Sequence, residues 1–183
     1  MTNTQSIYRL AVPEGYEWVI PSNPANFEVL RTLAERWPSE HWQPLPMTLL
    51  KSDDHGMPHR RADLPWLGFH VLVLRDHAIE AIGAILQPHG ELLPLQCDDA
   101  RLSLFSAPLI AGALDVEHSD IKRFPSSGRI MKLTRPVFHA AAIGDTMAFK
   151  LEEMPRGSLY LTEPLVEAIL ATRRTAGTNF VPA

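Results

Sequence analysis

Apolar residues along this chain gather in short bursts separated by proline, glycine and acidic turns. Ile7-Tyr8 with Leu10-Ala11-Val12, and Tyr16 with Trp18-Val19-Ile20, are parted by Pro13 and Gly15, which predicts a strand, a turn and a second strand. Phe27, Leu30, Ala34 and Trp37 then recur at spacings of 3, 4 and 3, the period of a helical face. Asn23 or Ser22 caps that helix, Pro24 suits its first turn, and Pro38 ends it because proline cannot continue the backbone ladder. Trp37 and Trp66 are expected in the core. Between Ser39 and Pro65 the pattern loosens into a proline-rich loop, with Met47-Thr48-Leu49-Leu50 as a short strand within it.

From Pro65 the pattern tightens. Trp66 to Phe69 predicts a buried turn and Val71 to Leu74 a strand. Asp76 is placed to cap a helix with the stripe Ile79, Ile82, Ile85 and Leu86, and Gly90 to end it as a left-handed cap. Gly90 to Asp120 reads as a hairpin-like pair of strands, Glu91 to Cys97 and Leu102 to Ser106, followed by an acidic loop. Further strands are expected at Arg129 to Leu133 and Thr146 to Leu151, with an apolar connection between them from Pro136 to Ile143. Leu159-Tyr160-Leu161 runs into Thr162, which can cap a helix burying Leu165, Val166, Ile169 and Leu170. Gly177 ends that helix, and Thr178 to Val181 forms a last strand. The fold class is α+β, a mixed and mostly antiparallel sheet with about three helices. Residues 1–62 form an N-terminal strand, helix and loop region that packs as one unit with residues 63–183.

Composition narrows the function. With 17 basic and 21 acidic residues and a net charge of −4, the chain lacks the basic face of a nucleic-acid binder. Local basic runs such as His59-Arg60-Arg61 and Arg173-Arg174 are short. A single cysteine cannot form an internal disulfide, and no stretch is an export signal or a membrane span, so a cytoplasmic protein is expected.

Candidate chemistry is sparse. His55 and His59, beside Asp53 and Asp54, have the spacing of metal ligands on a helix, but Gly56 and Pro58 lie between them and argue for a solvated loop. Cys97 stands against Asp98 and Asp99, whose negative charge opposes a reactive thiolate, so it reads as a small core residue. No G-x-S-x-G turn, dinucleotide fingerprint or phosphate-binding loop occurs. No catalytic residue, metal or cofactor is expected. Carboxylate pairs are plentiful, and rim charges of this kind steer a basic partner. Trp42, isolated in the proline-rich loop, is a candidate contact because tryptophan is enriched in interface hot spots.

One ordered set of motifs carries a resemblance. Asp63-Leu64-Pro65 precedes the Val71–Leu74 strand and the Asp76 helix; Gly90-Glu91-Leu92-Leu93-Pro94-Leu95, Leu114-Asp115 and Ser119-Asp120 follow. Phe149, Leu159-Tyr160-Leu161-Thr162 and Gly177 to Phe180 close the run. In this order, over about residues 60–182, the chain resembles a family of bacterial immunity proteins encoded beside polymorphic toxins, first catalogued as a domain of unknown function. Members often carry aromatics where this chain has Leu102 to Phe105, and the first 60 residues fall outside the match.

The resemblance implies an inhibitor that binds one cognate toxin in the producing cell and occludes its active site or substrate groove, with no enzymatic activity of its own. Gly90, Pro94, Asp115 and Ser119 then have structural roles: a cap, a strand end and bonds to loop backbone. Trp42, Asp53, Asp54, Asp98 and Asp99 are the expected toxin contacts. No nucleic acid or membrane is expected as a partner. Alternatives are an adaptor or chaperone for a secreted effector, a small hydrolase or metal-dependent enzyme using His55, His59 and the nearby aspartates, and a structural or regulatory dimer.

Overall fold

The computed structural model describes residues 6–36 and 39–183, so Trp37, expected in the core, lies outside the described residues. In chain order the first half forms β1 (Ile7–Ala11), β2 (Trp18–Pro21), α1 (Asn26–Glu35), β3 (Met47–Leu50), β4 (Leu72–Arg75), α2 (His77–Leu86), β5 (Glu91–Leu95) and β6 (Leu102–Ser106). The second half forms β7 (Leu109–Ile110), β8 (Asp120–Arg123), β9 (Ile130–Arg135), α3 (Ala140–Ile143), β10 (Ala148–Leu151), β11 (Tyr160–Thr162), α4 (Glu163–Ala171) and β12 (Asn179–Pro182). The class is α+β as expected: strand pairing is mostly antiparallel, and among the described residues α1, α2 and α4 are the three helices longer than a single turn.

Four groups of strands organise the chain. The order β12-β1-β11-β10-β7 sets the first strand between two from the C-terminal end; β4-β6-β5 forms a second sheet, and β2-β3 and β8-β9 are separate pairs. The N-terminal region is thus woven into the same sheet as β10, β11 and β12.

The strand β4 explains why Val71 to Leu74 reads as an unbroken apolar run. Side chains alternate across a strand, so Leu72 and Leu74 enter one core with Ile82, Leu86, Phe105 and Leu165. Val71 and Val73 enter a second core with Leu30, Leu33, Met47 and Leu104. A strand buried on both faces has no polar side to show. A third core, around Phe149, Leu151 and Tyr160, lies under β8 and β9, with Phe138 edge-on to both rings.

Several local expectations change. Neither Asn23 nor Ser22 caps α1, which has no side-chain cap: Asn23 Oδ1 accepts the Ala25 N–H at 3.0 Å in the turn leading in, and α1 buries Leu30, Leu33 and Ala34 while Phe27 stays 41% exposed. Asp76 precedes α2 without capping it. Its φ is +47°, and its carboxylate accepts instead from Arg61 Nη2 at 2.7 Å and the Arg101 N–H at 3.0 Å. With Arg75 Nε also donating to it at 3.3 Å, two guanidinium groups and the Arg101 amide outcompete the helix end.

Gly90 is not left-handed. Its backbone is extended at φ 175°, α2 having run on through a 3₁₀ turn at Gln87–His89. The glycine is needed for space, since a Cβ would lie 2.6 Å from the Phe105 ring. Pro94 sits inside β5, opposite Ser103, and is tolerated because β5 is a sheet edge. Thr162 stands just before α4 at the cap position but makes no capping bond, its hydroxyl being buried and unpaired, and Leu170 is 49% exposed. That helix ends at Ala171, short of Gly177. The acidic stretch after Leu114 ends in a strand, β8, which the sequence pattern did not predict.

Trp66 is buried as expected, and Cys97 packs half-buried at the edge of the second core. Asp115 and Ser119 fasten their loop: Asp115 Oδ1 accepts the N–H groups of Glu117 and His118 at 3.1 Å each, and Ser119 Oγ accepts the Val137 N–H at 2.8 Å. Among the described residues no helix is long and apolar enough to cross a membrane.

Candidate interaction surface

The Ser39–Pro65 segment is stitched to the body rather than loose. Trp42 Nε1 donates to the Pro94 carbonyl at 2.8 Å, the Gln96 N–H to Leu45 O at 2.9 Å, and the Met47 N–H to Gln96 O at 2.8 Å. Farther along, Lys51 Nζ meets Asp99 at 2.8 Å. The segment therefore runs beside β5 and the Asp98-Asp99 turn, using carbonyl and amide groups that a sheet edge leaves free. The five expected contact residues lie along this one seam, with Trp42 at its Pro94 end and Asp53, Asp54, Asp98 and Asp99 near its Lys51 end.

Asp53 shapes a tight turn. Its Oδ1 accepts the N–H groups of His55 and Met57 at 2.9 Å each, while Gly56 takes the left-handed conformation at φ +78°. Asp54 is exposed and has no side-chain partner among the described residues. The ring of His59 lies 3.1 Å from the Leu50 carbonyl, so it does not face His55 as a fellow ligand. Among the described residues no group of three or more His, Cys, Asp or Glu is placed to hold a metal ion.

Next to this turn is a groove of about 370 Å³ walled by Val12, Trp18 and Leu50 and rimmed by Glu14, Asp53 and Asp54. Trp18 is 40% exposed. Sequence reading passed over it because it sits in a strand like any core aromatic; the polar run Pro13-Glu14-Gly15 beside it was the available signal. The nearby Arg60 guanidinium is stacked over the Tyr16 ring at 3.9 Å and donates to Glu14 O at 3.0 Å. The groove thus combines apolar walls with a carboxylate rim, a fit for a segment carrying lysine or arginine.

Trp42 belongs to a larger cavity of about 840 Å³ between α1 and the start of the seam, lined also by Leu33, Leu45, Arg36 and Glu152. At the end of α1, the helix that walls it, is a buried polar contact that sequence did not reveal. Lys150, in the middle of β10, is completely buried, and its Nζ donates to Ala34 O at the end of α1, 3.1 Å away. Glu91 Oε2 accepts the Ser39 N–H at 2.8 Å.

Burial pulls the Lys150 amine down to about 8, against the opposing pull of Glu91. Burial, and then the Lys150 charge, lowers His70 to about 4. Both groups are held below their unfolded values, so each contributes stability that is lost as pH falls toward its folded value. Stability is therefore expected to rise between pH 8 and 10.5 by roughly 3 kcal/mol on account of Lys150. Urea midpoints measured across that range check this, with Lys150→Met expected to abolish the rise. A parallel pH dependence in wild type and variant would refute it. Below pH 6.5, His70 adds a loss of stability down to about pH 4.

Compared with protein-family models and with curated proteins, the sequence matches none.

Proposed function

We propose that this chain is an immunity protein, which binds one cognate toxin in the cytoplasm of the producing cell and blocks its active site or substrate groove. The ordered motifs from Asp63 to Phe180 supply the class. The observation that supports the mode of action is the Trp18 groove with its acidic rim, continuous in sequence with the Asp53-Asp54 end of the seam. A half-exposed tryptophan among apolar walls, ringed by carboxylates, has the anatomy of an interface hot spot. In this reading a basic loop of the toxin enters the groove, and Trp42, Asp53, Asp54, Asp98 and Asp99 line the contact. No reaction is assigned to the chain.

The test is co-expression with the toxin encoded next to this gene. Wild type is expected to co-purify with it and restore growth. Trp18→Ala should weaken the purified complex by at least about tenfold, the typical cost of removing a hot-spot anchor. Glu14→Lys combined with Asp54→Lys should weaken it further while leaving the Asp53 turn bonds in place. Failure of the wild-type protein to bind or neutralise that toxin would end the proposal. A complex that forms with the toxin still active would point to an adaptor instead.

A further inference from the structure

The ribbon β8-β9 has a character unlike the rest of the chain. Residues 120–135 hold five of the 17 lysines and arginines but one of the 21 carboxylates, in a protein whose net charge is −4. Its inner side is Ile121, paired with Leu133, and Ile130, all resting on the third core. Its outer side is exposed and carries Lys122, Lys132 and Met131, with Phe124 and Arg129 exposed at the turn.

Only two of the five cations are spent within the ribbon. Arg135 is paired with Asp120 at 3.0 Å, and Arg123 donates to Gly128 O at 2.8 Å. Lys122, Arg129 and Lys132 have no side-chain partner among the described residues. Lys122 and Lys132 stand directly opposite each other in the register. Like charges in that position destabilise a strand pair, and an isolated two-strand ribbon has little stability to spare. The register also shifts twice within these few residues, once between Asp120 and Ile121 and once between Lys122 and Arg123. Irregularities of this kind re-aim side chains and recur at binding edges. An anion between the two ammonium groups would turn the repulsion into attraction.

We propose that this ribbon is a cationic contact arm that docks on a carboxylate-bearing face of the protein toxin, a second contact beside the acidic groove. It rests on the immunity-protein reading. A protein face suits the ribbon better than nucleic acid for two reasons. Exposed Phe124 and Met131 lie among the cations, giving the mixed apolar and charged surface of a protein interface. The rest of the chain is rich in carboxylates and offers no extended basic track for a duplex, which carries a charge about every 1.7 Å.

The experiment measures binding of the toxin from the adjoining gene to wild type, Lys132→Glu, and Lys122→Glu with Lys132→Glu, over a range of salt concentrations. Lys132→Glu is informative because it sets opposite charges face to face, so the melting temperature should hold or rise. Affinity should nonetheless fall at least about tenfold, with a shallower salt dependence, and Lys122→Arg with Lys132→Arg should retain it. Unchanged affinity in both glutamate variants overturns the arm while the immunity reading stands. Absence of any complex with wild type overturns both. Binding of a short DNA duplex at ~0.15 M salt, lost in the glutamate variants, overturns the choice of a protein face.

Discussion

Gly177→Ala is expected to destabilise the fold by about 3–5 kcal/mol, the sum of overpacking and backbone strain. Gly177 has φ +102°, a conformation that side chains with a Cβ avoid. A Cβ there would also lie 2.5 Å from that of Ala62, which has no rotamer to move it aside, and 2.7 Å from the backbone Leu64 O. The neighbours cannot move aside, because the Leu64 N–H donates to Ala176 O at 2.9 Å and Thr178 Oγ1 donates to Leu64 O at 3.0 Å. A thermal melt should shift by about 10 °C at this chain length. A melting temperature equal to wild type would show that the crossing of the two segments is looser than described.

The second large effect is at Glu17, which anchors the same segment from its other side. Glu17 is buried; its Oε2 accepts the Ala62 N–H at 3.0 Å and forms an ion pair with Arg75, itself buried. Glu17→Ala leaves a guanidinium in the interior with only Asp76, 3.3 Å from its Nε, and leaves the Ala62 N–H without an acceptor. Losing one partner of a buried pair costs about 3–5 kcal/mol, because the remaining charge is uncompensated. Chemical denaturation should show a loss of that size. Glu17→Met combined with Arg75→Met should recover most of it, since the desolvation cost disappears with the charges. A double variant as unstable as the single one would contradict this account.

Sequence alone revealed the centre of the fold well. From Val71 to Ser106 dense apolar bursts alternate with short polar breaks, so its strands and the helix between them follow from pattern alone. Other readings failed where one residue type serves two purposes. Glycine at 90 looks like a helix cap, yet it exists to let Phe105 and Ser106 approach. Asp76 has the right place for a cap, but cations distant in sequence, Arg61 above all, claim it. The strand β8 went unseen because it buries little: Ile121 is its one inward apolar side chain, flanked by Asp120, Lys122 and Arg123. The same exposure hid the basic ribbon, whose cations are dispersed in sequence and converge only when two strands pair. For the candidate contacts, Trp42 and the aspartates were visible as isolated polar or aromatic residues in a loop. That Trp18 and Glu14 join them depends on the packing of β2 against Leu50, which no local pattern encodes.

The position of β1 also governs how the chain reaches its native state. Ile7–Ala11 is made well before its two neighbours in the sheet, Tyr160–Thr162 and Asn179–Pro182. At a synthesis rate of about 5–20 residues per second, the first of those partners follows on the order of ten seconds later or more. Until then both edges of β1 are open to whatever strand is nearby, including those of other nascent chains. Pairings this distant in sequence slow folding and expose the chain to aggregation. The central sheet is therefore completed only after translation has delivered its last strand, and a growing chain held at the ribosome or sheltered by a chaperone would gain most in yield at this stage.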